Sequence, residues 1–360
     1  MDGHREIEIN QLLAGFARND AISNYARRLR RIFEGWGYRS RIFVDSPYLE
    51  PALRNEASSF AEQPEGEQIL IYHFSIGSAA TDYYLAAPGR RVIIYHNITP
   101  PEFFYPFAPD VAARLAAGKE QLAQLAGGTE LALADSEYNR RELEAAGFRT
   151  SSVLPLALDT AGLEVKPARK ARQRMGKRRD HLLFVGRIAP NKKFEDLWRV
   201  FQYYTGHCRP GAKLFLVGKF KPTDSYFCFL RSLMAGPAFK NVFFAGQAHQ
   251  SEMIAYYRRA GVFLSMSEHE GFGLPLLEAM YLGVPVLAYA AAAVPETMGG
   301  AGVLFTEKDY PAVAEMAALL VEDHSFRRAI LDGQRRRIEK FQSVSTADTL
   351  KKLLAPWLDG

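Results

Sequence analysis

The chain reads as an α/β protein made of two doubly wound parallel sheets in succession, and three observations predict it. Short apolar runs alternate with amphipathic helical patterns along the whole chain, which is how a parallel sheet with crossover helices is written. A basic stretch from Lys166 to Arg179, KPARKARQRMGKRR, interrupts the alternation, which then resumes. With 360 residues, 48% of them hydrophobic, the chain is long enough for two cores.

In the first series the apolar runs predict strands at Glu6 to Leu13, Ser40 to Val44, Ile69 to Tyr72, Val92 to Tyr95, Leu131 to Ala134 and Ser152 to Leu154. After the first strand comes the loop Ala14 to Asp20, containing Gly15, and then a helix that Asp20 can cap. In that helix Ile22, Tyr25, Ala26, Leu29, Ile32 and Phe33 recur at helical spacing, and Gly35 and Gly37 end it. A glycine loop ahead of a capped helix is a candidate anion site, with Asp20 and Asn24 as its polar residues. Further helices are expected at Val111 to Leu125 and Tyr138 to Ala146, the second capped by Ser136. His73 and His96 are expected just past two strand ends, where a ligand can be reached.

The second series opens with Leu182 to Arg187 and continues with strands at Lys213 to Val217, Val242 to Ala245, Val262 to Leu264, Val284 to Ala288 and Val303 to Phe305. Gly186 and Arg187 end the first of these, and Lys192 and Lys193 follow ahead of a helix. A strand-end arginine with a lysine nearby can clamp a diphosphate, the guanidinium by paired hydrogen bonds and the ammonium as a point charge. The stretch Ser265 to Pro285, SMSEHEGFGLPLLEAMYLGVP, organises this half. A strand runs into the turn Glu270-Gly271-Phe272-Gly273 and then a helix at Leu274-Pro275, with proline expected at its first position. Free N–H groups at Gly273 and Leu274 and the positive end of the helix dipole suit a phosphate. Glu270 on the turn and Glu278 one helical turn on can both face that pocket.

Glu270 and Glu278 form an E-x7-E element, and EGFGLPLLEAMYLGVPVLA resembles the signature of the retaining family 4 glycosyltransferases of the GT-B fold. The resemblance implies two Rossmann-like domains facing across a cleft. Residues 1–165 would form the acceptor domain and 166–342 the nucleotide-sugar donor domain, with a C-terminal helix within 343–360, patterned from Ala347 to Leu354, crossing back onto the first. It implies that Glu270 lies against the donor sugar, that Glu278 holds the ribose hydroxyls, and that Arg187 and Lys192 are the family's phosphate clamp. Lys193 stands where the family commonly has glycine. His96 would lie near the reaction centre. Gly271, Phe272, Gly273, Leu274, Gly186, Lys219 and Gln247 would contribute to the donor pocket, and Gly15, Asp20, Asn24 and His73 to the first loop or the acceptor. The first loop lacks the family's double glycine, and Leu156-Ala157 replaces its usual asparagine-glycine.

The implied reaction is metal-independent transfer of a hexosyl group, with retention, from a nucleotide-diphosphate sugar to a saccharide or lipid-linked saccharide in surface polysaccharide assembly. No Asp-x-Asp pair occurs, and no cofactor is expected beyond the donor itself. Rival readings are a synthase using a small soluble acceptor, a phosphorylase of the same fold, a non-catalytic nucleotide-sugar-binding scaffold, and a membrane-associated assembly protein.

Two cysteines, Cys208 and Cys228, argue against a disulfide framework and for a reducing cytoplasm. No signal peptide or bilayer-length apolar run is expected. The net charge of +5 is modest, but Arg27, Arg28, Arg30 and Arg31 and the Lys166 to Arg179 stretch are basic clusters that suit solvent, peripheral contact with the anionic inner membrane face, or a pyrophosphate-linked acceptor. No nucleic-acid module accompanies them.

Overall fold

The computed structural model describes residues 7–18, 20–62, 67–234 and 237–358. The chain forms two compact units: residues up to Glu102 with Pro109–Leu156 and the segment from Ser345, and Phe103–Ala108 with Ala157–Val344. The division after Leu156 falls earlier than residue 165, so the basic stretch belongs wholly to the second unit.

The first unit holds a seven-stranded parallel sheet in the order β3-β2-β1-β4-β5-β6-β7. Its strands are β1 (Glu8–Leu13), β2 (Ile42–Val44), β3 (Ser58–Ser59), β4 (Gln68–Phe74), β5 (Arg90–Tyr95), β6 (Leu131–Ala134) and β7 (Ser151–Val153). Glu6, where the first strand was expected to begin, lies outside the described residues. Every residue of β4 is buried, as a central strand with both faces covered must be. Its sequence runs two residues beyond the expected Tyr72, because Phe74 still pairs with Tyr95 of β5. His73 therefore lies inside the strand, opposite Ile94, while His96 lies past the end of β5. The two histidines are not at equivalent strand ends. The edge strand β3 and the helix Ala80–Ala86 have no clear apolar run and were not expected.

The helix Ala21–Gly35 starts as expected, with the Asp20 carboxylate accepting from the backbone N–H of Ser23 at 2.8 Å. The helix Thr346–Leu358 lies against this unit: Leu350, Leu354 and Leu358 join Ile9, Tyr25, Leu29 and Phe33 in one core cluster. Each fully buried leucine contributes about 1.5–3 kcal/mol, which is enough to hold a terminal helix in place.

The second unit holds a six-stranded parallel sheet in the order β10-β9-β8-β11-β12-β13. Its strands are β8 (Leu182–Val185), β9 (Leu214–Val217), β10 (Val242–Gly246), β11 (Val262–Ser265), β12 (Val286–Tyr289) and β13 (Val303–Phe305). Strands β8, β9 and β11 are buried throughout. Their apolar side chains pack with Phe194, Leu197, Trp198 and Phe201 of the helix Phe194–Tyr203 in the unit's main core.

In each sheet the direction of winding reverses once, between β1 and β4 and between β8 and β11. The loops that leave those strands diverge to opposite faces and leave a crevice at the carboxyl ends, the place where open parallel sheets bind ligands.

Candidate active site

At the second unit's reversal the loops after β8 and β11 are tied together by side chains. Asn191 donates its amide to the carbonyl of His269 at 3.0 Å, and the N–H of Glu268 donates to the carbonyl of Asn191 at 2.9 Å. Lys192 and Glu270 form an ion pair at 2.6 Å, each with less than a fifth of its side chain exposed. Lys193 reaches Glu268 at 3.2 Å and Glu195 at 3.7 Å. Arg187 is exposed, just past β8, and among the described residues it pairs with no carboxylate. Its guanidinium is therefore available to an anion.

Lys193 has the left-handed backbone, φ 52° and ψ 56°, at the entry to the helix Phe194–Tyr203. That conformation explains why glycine suits the position, and the paired ammonium gives a lysine there a compensating role. Neighbouring loops close the crevice from the other side. Ile188 donates its N–H to the carbonyl of Lys219 at 3.2 Å, and a Cβ on Gly218 would meet the Gly186 carbonyl at 1.9 Å. Glycine at 218 is thus fixed by contact. Lys219 and Gln247 are both exposed at these loop ends.

The turn Gly271–Gly273 has Gly273 at φ +94°, which a Cβ-bearing residue rarely adopts, and the helix Leu274–Tyr281 follows. Pro275 takes the second helical position rather than the first, and Leu274 takes the first. Either position leaves the missing N–H harmless, since first-turn donors have no intrahelical partner. The turn is held from behind: Thr297 donates its hydroxyl to the carbonyl of Phe272, and Ala293 donates its N–H to that of Glu270 at 3.2 Å. Glu278 accepts from the hydroxyl of Tyr257 at 2.7 Å. Burial raises the Glu278 carboxyl above the usual range, opposed by the Tyr257 hydrogen bond, and Asp159 adds to the rise.

A further cation lies beside this group. Lys308 bridges Asp196 at 2.6 Å and Glu268 at 2.5 Å, with the Tyr289 ring 4.9 Å away. Burial works against its charge, and the two carboxylates outweigh that, so its pKa is raised. Tyr257, Asn191 and Lys308 escaped the sequence reading. Each acts through a contact with a residue distant in the chain, and none has a local pattern.

The first unit's reversal is lined differently. A pocket of about 260 Å³ is bounded by Leu13 to Ala17, Asp20 and Ile22 on one side, His73, Ser75 and Ile76 on another, and Tyr48 and Arg114. Arg114 lies 4.3 Å over the ring of Tyr48. Gly15, Asp20 and His73 line this pocket together, whereas Asn24 does not line it and instead accepts from Arg27 at 3.0 Å. The helix start is not an open anion site: the Asp20 carboxylate already caps it and would repel a phosphate. His96 also departs from expectation. Both its ring nitrogens are bonded within the unit, to His73 at 2.9 Å and Asp135 at 2.8 Å, and its side chain is 3% exposed.

Ser136 caps the helix Glu137–Ala145, accepting from Asn139. Of the basic helix residues, Arg27 pairs with Glu56 at 2.6 Å and Arg30 donates to the Glu56 carbonyl at 2.8 Å. Both cysteines are free thiols. Among the described residues no group of three or more His, Cys, Asp or Glu stands close enough to hold a metal ion, and no helix is long and apolar enough to cross a membrane.

Comparison with known proteins gives three findings. Residues 165–337 match the family model of glycosyl transferases group 1. The chain is 29% identical over 147 residues to the O-antigen chain mannosyltransferase B of Escherichia coli, a match covering 41% of this chain and 38% of that one. It is 28% identical over 182 residues to the capsular polysaccharide biosynthesis glycosyltransferase CapM of Staphylococcus aureus, covering 49% and 46%. The chain thus spans less than half the length of these relatives. Among solved structures it is similar to Anabaena HepE in complex with UDP and glucose, with a TM-score of 0.73 at 18% identity over 97% of this chain and 100% of that one. The second unit therefore carries a glycosyl transferases group 1 domain, in a chain whose two parallel-sheet units have the GT-B fold.

Proposed function

We propose that the chain is a retaining glycosyltransferase of family 4 that moves a hexosyl group from a nucleotide-diphosphate sugar to a saccharide or lipid-linked saccharide acceptor in surface polysaccharide assembly. The observation that carries this proposal is the joined pair of loops at the β8–β11 reversal, where Lys192 pairs with Glu270 and Lys193 with Glu268, with Arg187 exposed past the end of β8 and Glu278 in the helix that follows the Gly271–Gly273 turn. The names of the relatives, an O-antigen mannosyltransferase and a capsular polysaccharide glycosyltransferase, support the acceptor class, and the UDP and glucose bound by HepE support the donor class.

In this proposal the second unit binds the donor and the first unit's pocket takes the acceptor. The diphosphate lies against Arg187, Lys192 and the first-turn N–H groups at Gly273 and Leu274, and Glu278 accepts from the ribose hydroxyls. Binding draws Lys192 toward the phosphate and frees Glu270 to orient the sugar. The bond from the anomeric carbon to the β-phosphate oxygen breaks, and negative charge grows on that oxygen among fixed cations. The acceptor hydroxyl attacks from the leaving group's side and its proton passes to the departing diphosphate. No metal ion or other cofactor takes part. The chain works in the cytoplasm, with its arginine-rich helix at the inner membrane face.

The test is nucleoside-diphosphate release with each candidate nucleotide sugar in the presence of a chelator, followed by NMR of the product's anomeric configuration. Donor-dependent release with a retained anomer is expected. Binding without release, with or without acceptor, would favour the scaffold, and inversion would overturn the mechanism.

A further inference from the structure

In the first unit four side chains from four strands or strand ends form one buried row. Gln11 of β1 donates its Nε2 amide to the carbonyl of Ala26 at 3.1 Å and turns Oε1 to Nε2 of His73 at 2.9 Å. Nδ1 of His73 lies 2.9 Å from Nε2 of His96, and Nδ1 of His96 lies 2.8 Å from Oδ2 of Asp135. The rings are within 3° of parallel, with centroids 5.2 Å apart, and Tyr25 lies edge-on to both.

The row fixes its own protons. A backbone carbonyl only accepts, so Gln11 must present its amide N–H to Ala26 and its oxygen to His73. That oxygen only accepts, so Nε2 of His73 carries a proton. Burial, reinforced by the nearby His96, lowers the His73 pKa well below the usual range, so the ring is neutral and its Nδ1 is bare. A bare Nδ1 needs a donor, so Nε2 of His96 carries a proton as well. The hydrogen bond between His96 and Asp135 then requires another.

We propose that the row Gln11–His73–His96–Asp135 holds one proton between Nδ1 of His96 and Oδ2 of Asp135, beyond the proton on Nε2 of each ring, and that Gln11 and Asp135 are positioning residues that lock His96. Burial pushes the Asp135 carboxyl up, against the pull of His96, which favours keeping that proton on the pair. Oδ1 of Asp135 is buried without a hydrogen-bond partner among the described residues, which also disfavours a full negative charge on the carboxylate. Among the described residues, Tyr25 faces the row from the helix Ala21–Gly35, and Arg28 of the same helix acts at Tyr25 through its charge.

The consequence is a division of labour within His96. Its imidazole is a peg, with both nitrogens spent, that holds the end of β5 where the next residue, Asn97, turns at φ 75°. Asn97 in turn donates to Asn139 and Glu142, each at 2.8 Å. His73 forms the wall of the unit's pocket from the same row. The protons can be counted in the chain without substrate, so the inference stands or falls separately from sugar transfer.

The experiment is a long-range ¹H–¹⁵N correlation spectrum of the full chain labelled at histidine, recorded at neutral pH. Protonated Nε2 on both rings, bare Nδ1 on His73 and a downfield proton at Nδ1 of His96 are expected. In Asp135→Asn the amide can donate to Nδ1 of His96 unaided. The downfield proton should then vanish while both Nε2 protons remain, with an unchanged backbone amide spectrum showing that the variant folds. A bare Nε2 on His96 in the unaltered chain, or a downfield proton that survives in Asp135→Asn, would overturn the assignment.

Discussion

At the β1–β4 reversal the first unit buries a row of hydrogen-bonded side chains, Gln11, His73, His96 and Asp135, beside a pocket with walls of leucine, phenylalanine and tyrosine. At the β8–β11 reversal the second unit sets Lys192, Lys193 and Lys308 against Glu268 and Glu270, with Arg187 exposed and, among the described residues, without a carboxylate partner. The topology is shared, and the chemistry differs. One crevice has large apolar and aromatic walls beside polar side chains bonded mostly to one another, which suits a neutral hydroxyl-rich molecule bound largely by shape and stacking. The other holds lysines paired with carboxylates beside an exposed arginine, which suits an anionic phosphate that can compete for those cations.

Substitutions that act on one crevice and spare the other sharpen this contrast. The largest effect is expected from Arg187→Ala, which removes charge stabilisation developed during transfer. Turnover should fall about 10²–10³-fold in steady-state assays, by analogy with loss of one transition-state donor. Glu278→Gln should weaken nucleotide binding by about 10-fold or more, the worth of a charge-assisted hydrogen bond, as read by titration calorimetry. The same variant should not be less stable when unligated. A carboxyl whose pKa is raised on folding binds its proton more tightly in the folded state, so the unaltered chain loses stability as pH climbs from the ordinary glutamate range through the raised value. Melting temperatures of the two proteins across that window should diverge in favour of the glutamine as pH rises.

In the first unit, Tyr48→Ala removes an exposed ring that carries the Arg114 guanidinium. The acceptor KM is expected to rise about 2–5-fold with nucleotide affinity unchanged, the size of an exposed cation–π contact. A matching loss of nucleotide affinity would mean that the two crevices are not separate in their duties. The smallest effect is expected for Lys193→Gly. Relief of the left-handed backbone, about 1 kcal/mol, is offset by lost ion pairs worth about 1 kcal/mol or less and by the greater flexibility of glycine in the unfolded chain. A net change within about 1 kcal/mol should appear in denaturant midpoints.

The same contrast explains what could be read from the sequence. The second crevice is written in two contiguous stretches, Gly186 to Lys193 and Glu268 to Glu278, because a loop and the helix it enters carry most of its groups. The parallel sheets followed from alternating apolar runs, and the central strands β4, β8 and β11 are buried throughout as covered parallel strands should be. The row in the first unit was not legible, since its members are separated by 62, 23 and 39 positions and meet only through the sheet. His73 and His96 were noticed for their strand-end phrases, and their partners were missed. Nor could the sequence show that His73 lies within β4, because the end of that strand is decided by its pairing with β5 rather than by its own residues.

The most direct test of nucleotide-diphosphate recognition at the β8–β11 crevice is calorimetric titration of the unaltered chain with UDP, GDP, ADP and dTDP in the presence of a chelator. Saturable one-to-one binding of at least one of them is expected, strongly weakened in Arg187→Ala and Glu278→Ala. Failure of all four to bind at millimolar concentration, or binding that both variants leave unchanged, would contradict it.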